Sequence, residues 1–144
     1  MKGNWELRIE KLPSNSAFFI LNSQFCIDCM NIQERSFQFA CSIVALHREL
    51  VKRDATVRLL AGQLLRSATS IGANLEEATA GQSRADFISK CSIALKEARE
   101  THYWLKLLRA TELLSSEEAN PLLREANELV AILTTIVKNS KNNR

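Results

Sequence analysis

From Gln33 to the end of the chain, apolar residues recur three and four positions apart, the interval that places them along one side of an α-helix. The first such stretch predicts a helix from about Gln33 to Arg53, with Phe37, Cys41, Val44 and Val51 on one face and Ala40, Ile43 and Leu50 beside them. The second predicts a helix from about Val57 to Ala78, with Leu60, Leu64, Ala68, Ile71, Leu75 and Ala78 as its seam. The third is the cleanest, from about Arg84 to Glu112: Phe87, Cys91, Ala94, Ala98, Thr101, Leu105 and Leu108 alternate steps of four and three throughout. At 1.5 Å per residue it is about 40 Å long. The fourth runs from about Glu117 to Lys138 on Leu122, Ala126, Leu129, Leu133 and Ile136.

Polar residues punctuate these stretches where helix ends need them. Asp54 or Thr56 can accept the free backbone N–H groups that open the second helix. Ser83 can cap the third, with Asp86 favourably placed at the positive end of its dipole. Ser115 and Glu118 have the spacing of a reciprocal capping pair. Gly81 suits a left-handed residue just past a helix end. Pro121 is compatible only with a first helical turn, because an interior proline removes a backbone donor. Gly62 and Gly72 each cost about 1 kcal/mol relative to Ala inside a helix, a cost expected where another helix approaches closely. Four amphipathic helices with short connections predict an all-α, antiparallel up-down-up-down four-helix bundle. Their seams predict packing at about 20°.

Residues 1–30 lack this periodicity. Pro13-Ser14-Asn15-Ser16 is a turn signal, and the apolar run Ala17–Leu21 is too short for a signal peptide's apolar region. The chain therefore divides into an N-terminal extension, residues 1–30, and a four-helix bundle, residues 31–144. A start codon assigned too early is the favoured origin of the extension; a short arm packed on the bundle is the alternative. No stretch is long and apolar enough to span a bilayer, and a cytoplasmic location is expected. Composition agrees with the helical reading: of 144 residues, only 4 are Gly and 2 Pro, too few for a turn-rich β fold. Cys26 and Cys29 form C-x2-C, but a zinc site needs two further ligands. Cys41, Cys91, His47 and His102 are scattered through the helices, so the thiols are expected to be free and no cofactor is expected.

The net charge is +3 and lies wholly beyond residue 29. Arg99, His102, Lys106 and Arg109 form a stripe on the third helix, which could meet phosphates without reading sequence. The simpler alternative is a solvated face with Glu97 and Glu100 as partners. On the second helix Arg66, Ser70, Asn74 and Glu77 share a face, with Ser67 beside them. Because buried polar groups require partners, the cluster Ser70, Asn74 and Glu77 reads as helix-to-helix bonding in preference to a ligand site. There is no phosphate-binding glycine loop, no H-E-x-x-H and no E-x-x-H pair, and no enzymatic activity is expected. Leu59, Leu65, Ile88 and Leu107 fall outside the main seams, which predicts a homo-oligomer.

The segment Gln63–Ala78, with Ser67-Ala68-Thr69-Ser70-Ile71-Gly72-Ala73-Asn74-Leu75-Glu76-Glu77 at its centre, is followed by Ser83-Arg84-Ala85-Asp86-Phe87-Ile88 and Ala94-Leu95-Lys96-Glu97-Ala98. Together they resemble the bacterial four-helix-bundle family encoded in 23S ribosomal RNA intervening sequences. This family is related to the accessory variability determinants of diversity-generating retroelements. The resemblance covers about Gln33 to Lys138. It implies a four-helix protomer, a ring-shaped homopentamer, and RNA or DNA and a reverse transcriptase as partners. The expected function is then a non-enzymatic oligomer contacting structured RNA or DNA through Arg99, His102, Lys106, Arg109, Arg66 and Arg84. The alternative is a protein-interaction or structural module with no nucleic-acid role.

Overall fold

The computed structural model describes residues 23–142, and their side chains from Asn31 onward. It contains four α-helices: α1 (Ser23–Leu50), α2 (Ala55–Ala80), α3 (Arg84–Ala110) and α4 (Ser116–Asn142). Each packs on the next, and α4 returns to α1 through the least extensive contact. Connections of three to five residues between helices of this length require successive helices to run in opposite directions. The polar contacts agree. Gln33 near the start of α1 donates to Thr79 at the end of α2 over 3.1 Å, and Arg53 just past α1 donates to the Leu113 carbonyl past α3 over 2.6 Å. At the same end as Gln33, Arg84 opens α3 and its Nε donates to the Ser140 carbonyl near the end of α4 over 3.1 Å, while Arg53 and Leu113 mark the other end. Among the described residues no helix is long and apolar enough to cross a membrane.

The predicted seam of α3 is buried at every position, Phe87 through Leu108. In α2, Leu64, Ala68, Ile71, Leu75 and Ala78 are buried as expected, Leu60 is half-buried, and Val57, Ala61 and Ser67 complete the inward face. In α4, Ala126, Leu129, Leu133 and Ile136 are buried and Leu122 is half-buried. Truncating one of the fully buried leucines to Ala, such as Leu64 or Leu129, would cost about 2–5 kcal/mol.

Helix α1 departs from its expected phase. It begins at Ser23, so the expected boundary at residue 30 falls inside a helix, and it ends at Leu50 rather than Arg53. The rest of the extension, residues 1–22, lies outside the described residues. The inward face is Ile32, Ser36, Phe39, Ile43 and Leu50, whereas Phe37 is 60% exposed, Val44 is 43% exposed and Cys41 is exposed. Val51 is half-buried just beyond the helix. Two seams with the same four-three spacing run along this helix, and the buried one contains a serine that masks it in a hydrophobicity pattern. Ser36 is inside because it is small. Its hydroxyl donates to the Gln33 carbonyl over 2.8 Å, and a Cβ placed on Gly72 of α2 would lie 3.4 Å from the Ser36 oxygen. The Ser36–Gly72 pair is thus a place where α1 and α2 approach closely, as expected for Gly72. Gly62 differs, since a Cβ there would meet nothing within 4 Å.

The helix ends use the expected residues with two corrections. Asp54 accepts from the Thr56 and Val57 N–H groups at 2.8 and 3.1 Å. Ser83 accepts from Asp86 N–H at 3.1 Å. The Ser115 hydroxyl accepts from Glu118 N–H at 3.3 Å while the Glu118 carboxylate accepts from Ser115 N–H at 3.2 Å, closing the capping box. The Ser115 hydroxyl, which donates to the Glu118 carboxylate over 2.7 Å, and then the Ser115 N–H hold the Glu118 carboxyl below its ordinary value. The cap therefore contributes stability above about pH 4.5, lost as pH falls through the lowered folded value. Gly81 is not left-handed: its φ is −62° and ψ 147°. It is small because a Cβ there would sit 3.2 Å from the Ala78 carbonyl oxygen and 3.4 Å from the Asp86 Cβ. Pro121 is the sixth residue of α4, past the first turn, because the capping box starts the helix at Ser116.

The left-handed residue at a helix end is instead Glu112, with φ 58°. Leu113 N–H reaches the Leu108 carbonyl at 3.0 Å and Glu112 N–H reaches the Arg109 carbonyl at 3.1 Å, the two bonds of a Schellman motif. A side chain there is strained by about 1–2 kcal/mol. Glu112→Gly should therefore raise stability by about 1 kcal/mol, read as a higher midpoint in urea with an unchanged slope.

Candidate nucleic-acid interface

The bundle sorts charge by helix face. Glu100 of α3 faces α2: its carboxylate accepts from Arg66 at 2.6 Å and from the Trp104 indole at 3.1 Å. Lys90 pairs with Glu77 of α2. Thr101 donates to Ser67 over 2.9 Å in a buried contact between the same helices. Asn74 donates to the Ser70 carbonyl over 2.8 Å, and Ser70 donates to the Arg66 carbonyl over 2.7 Å. The polar cluster of α2 thus bonds along its own helix at Ser70 and Asn74 and across to α3 at Glu77, Ser67 and Arg66. On α4, Glu125 accepts from Arg35 of α1 through two bonds of 2.9 Å. That pair borders a depression of about 360 Å³ between α1 and α4, lined also by Phe39, Pro121 and Leu122.

The cations of α3 lie on its other side. Arg99, Lys106 and Arg109 are exposed and His102 is half-buried. A shallow depression of about 380 Å³ between α3 and α4 is lined by His102 and Arg109 from one wall and by Asn120, Leu123, Arg124 and Asn127 from the other. Arg109 donates to the Asn120 amide oxygen over 2.9 Å, which ties the walls together. Arg124, Asn120 and Asn127 are residues that the sequence pattern did not single out. Their steps of four and three do mark one face of α4, but only packing places that face against the α3 stripe. Continued along α4, the same row reads Ala131, Thr134 and Lys138; one turn before Asn120 it begins at the exposed Glu117, and Glu128 is exposed one turn after Arg124.

Two of the six candidate residues stand apart. Arg66 is engaged with Glu100 on the α2 side, and Arg84 sits at the opposite end of α3, against Ser140. The four stripe residues share one side, yet the glutamates expected to neutralise them do not. Glu100 is held by Arg66 and Trp104. Glu97 turns one carboxylate oxygen into a buried position with no hydrogen-bond partner among the described residues. The ion pairs of the described residues join Arg35 to Glu125, Lys52 to Glu49, Arg66 to Glu100 and Lys90 to Glu77. Arg99, Lys106, Arg109 and Arg124 take part in none of them. The result is a strip of positive potential along the α3–α4 side, suited to a polyanion.

Burial pushes the Cys91 thiol up to about 12, so it is not a nucleophile near neutral pH. Among the described residues no group of three or more His, Cys, Asp and Glu is placed to hold a metal ion. The side chains of Cys26 and Cys29 lie outside the described residues. Partial burial, then the charges of Lys106 and Arg109, hold His102 below its ordinary value of 6.5. The unfolded chain consequently takes up this proton more readily, so the stability tied to His102 falls as pH drops from about 6.5 through the lowered folded value. An NMR titration of His102 should give a pKa below 6.5. A polyanion bound in the groove should raise it by neutralising the charges around the ring; no change on saturation would place the ligand elsewhere.

Comparison with known proteins bears on this geometry. The family described as 23S rRNA-intervening sequence protein matches residues 29–135. Among solved structures, a protein of unknown function from the S23 ribosomal protein family of Bacteroides thetaiotaomicron is 43% identical, with a TM-score of 0.71 over 77% of this chain and 98% of that one. No curated protein matches the chain.

Proposed function

The chain belongs to the family of 23S rRNA-intervening sequence proteins, and from that premise we propose that it is a non-enzymatic, homo-oligomeric protein that binds RNA or DNA through the α3–α4 groove. The observation that carries this reading is the segregation of charge on α3 and α4. An ordinary solvated face would interleave carboxylates with Arg99, Lys106 and Arg109, whereas on α3 Glu100 is paired with Arg66 of α2 and Glu97 buries one carboxylate oxygen.

Assembly strengthens a modest site. With +3 per protomer, a single copy would hold nucleic acid weakly. A ring repeats the strip, and each further phosphate is then met at high effective concentration. The outward seam of α1, with Phe37 60% and Val44 43% exposed and Cys41 between them, and Leu59 of α2 at 67%, are apolar surfaces a second copy would cover. Leu65 and Ile88, expected to be outside the seams, are half-buried against the core. A homopentamer is the assembly proposed. Light scattering at micromolar concentration should give a mass well above the 16.2 kDa protomer, and Phe37→Asp should lower it without loss of helicity. A wild-type monomer would overturn the assembly.

Replacing Arg99, Lys106 and Arg109 together by Gln should leave thermal stability nearly unchanged, because exposed charges contribute little to folding. Affinity should fall for all nucleic-acid sequences alike, and the slope of log K against log salt should flatten by about one for each phosphate no longer held. Unchanged binding across a salt series would favour the protein-interaction reading, in which a reverse transcriptase or another protein is the partner.

A further inference from the structure

One exposed side chain beside the strip is unaccounted for by phosphate binding. Tyr103 is the only tyrosine of the chain and is 55% exposed. It lies four residues after Arg99 and three before Lys106, so all three share one side of α3. Its ring is not loose. It meets the Trp104 ring edge to face, centroids 5.0 Å apart at 70°. Trp104 is itself half-buried and anchored by its indole N–H to Glu100 at 3.1 Å. The ring keeps much of its surface in water, with a cation one turn away on either side. It is well formed as a platform.

We propose that the α3–α4 strip takes an unpaired nucleic-acid strand, with a base stacked on Tyr103 and the adjoining phosphates held by Arg99 and Lys106. This rests on the nucleic-acid reading above and narrows it to a class of ligand. A duplex hides the faces of its bases in its own stack and offers phosphates, sugars and groove edges, so Tyr103 gains no stacking from it. A single strand, or an unpaired loop of a structured RNA, exposes those faces to an aromatic ring within a positive groove. The other wall is compatible with an unpaired strand. Asn127, and the amide N–H groups of Asn120 left over after its oxygen accepts from Arg109, can hydrogen-bond base edges that a duplex would occupy internally.

The test uses the full-length protein with a labelled single-stranded RNA of mixed sequence, the same strand annealed to its complement, and the corresponding DNA strand. The single strands should bind more tightly than the duplex. Tyr103→Ala should weaken single-strand binding about tenfold, within the range for removing one base–aromatic stack. It should leave duplex binding and the salt slope unchanged, since every phosphate keeps its cation. Tyr103→Phe should retain the affinity, which separates stacking from any hydrogen bond of the hydroxyl. Melting temperature and oligomeric mass serve as controls. If Tyr103→Ala binds the strand as wild type does while the Arg99, Lys106 and Arg109 triple variant does not, the stacking proposal fails and the polyanion reading stands. If wild type binds neither strand nor duplex at low salt, both fall. If Tyr103→Ala binds more weakly only because assembly is impaired, the ring belongs to an interface between copies and the stacking proposal is overturned.

Discussion

The rotation of α3 about its own axis is the constraint on which the structure depends. Seven residues from Phe87 to Leu108 must leave water together, each sizeable apolar side chain contributing about 1.5–3 kcal/mol. A helix that buries one unbroken stripe has no freedom to turn. The flanks of the stripe are thereby assigned: Glu100 and Lys90 to α2, and Arg99, His102, Lys106 and Arg109 to the α4 side. The polar bonds that follow, Thr101 to Ser67 and Arg66 to Glu100, refine this orientation rather than create it, since exposed ion pairs contribute at most about 1 kcal/mol each.

Helix α1 shows the opposite situation. Its apolar residues fall on two sides, so burial alone does not choose a rotation. The choice is made by fit. Ser36 and Gly72 are small enough for the two helices to approach, and the bidentate Arg35–Glu125 pair holds the other flank against α4. Phe37 and Val44 are left outside as a consequence. The exposed apolar seam of α1 is therefore a by-product of how α1 docks, and it sits on a different helix from the basic strip. Assembly and nucleic-acid contact can then occur on separate faces, which a ring repeating the strip requires.

The strip itself is an arrangement of commitments. The carboxylates nearest to it on α3 are bound to α2 or partly turned inward, and α4 contributes Arg124 with two amides, leaving Glu117 and Glu128 exposed a turn away. Tyr103 stands at its edge, braced by Trp104. Positive charge and a fixed aromatic surface are the means by which proteins hold unpaired strands.

The four helices, the seams of α2, α3 and α4, and the caps at Asp54, Ser83 and Ser115 were legible in the sequence alone. These depend on intervals of three, four and seven residues, which the helix repeat converts directly into faces and ends. So was the family, through the segment from Gln63 to Ala98. What the sequence could not decide were matters of relation between segments. The burial of Ser36 rather than Phe37 depends on a glycine thirty-six residues away. The left-handed conformation, absent at Gly81 and present at Glu112, depends on how each loop meets the neighbouring helix. Asn120, Arg124 and Asn127 became part of the interface only because α4 packs with that row beside α3. Periodicity determines which residues share a face; only packing determines what that face meets, because the free energy that fixes it comes from contacts between segments far apart in the chain.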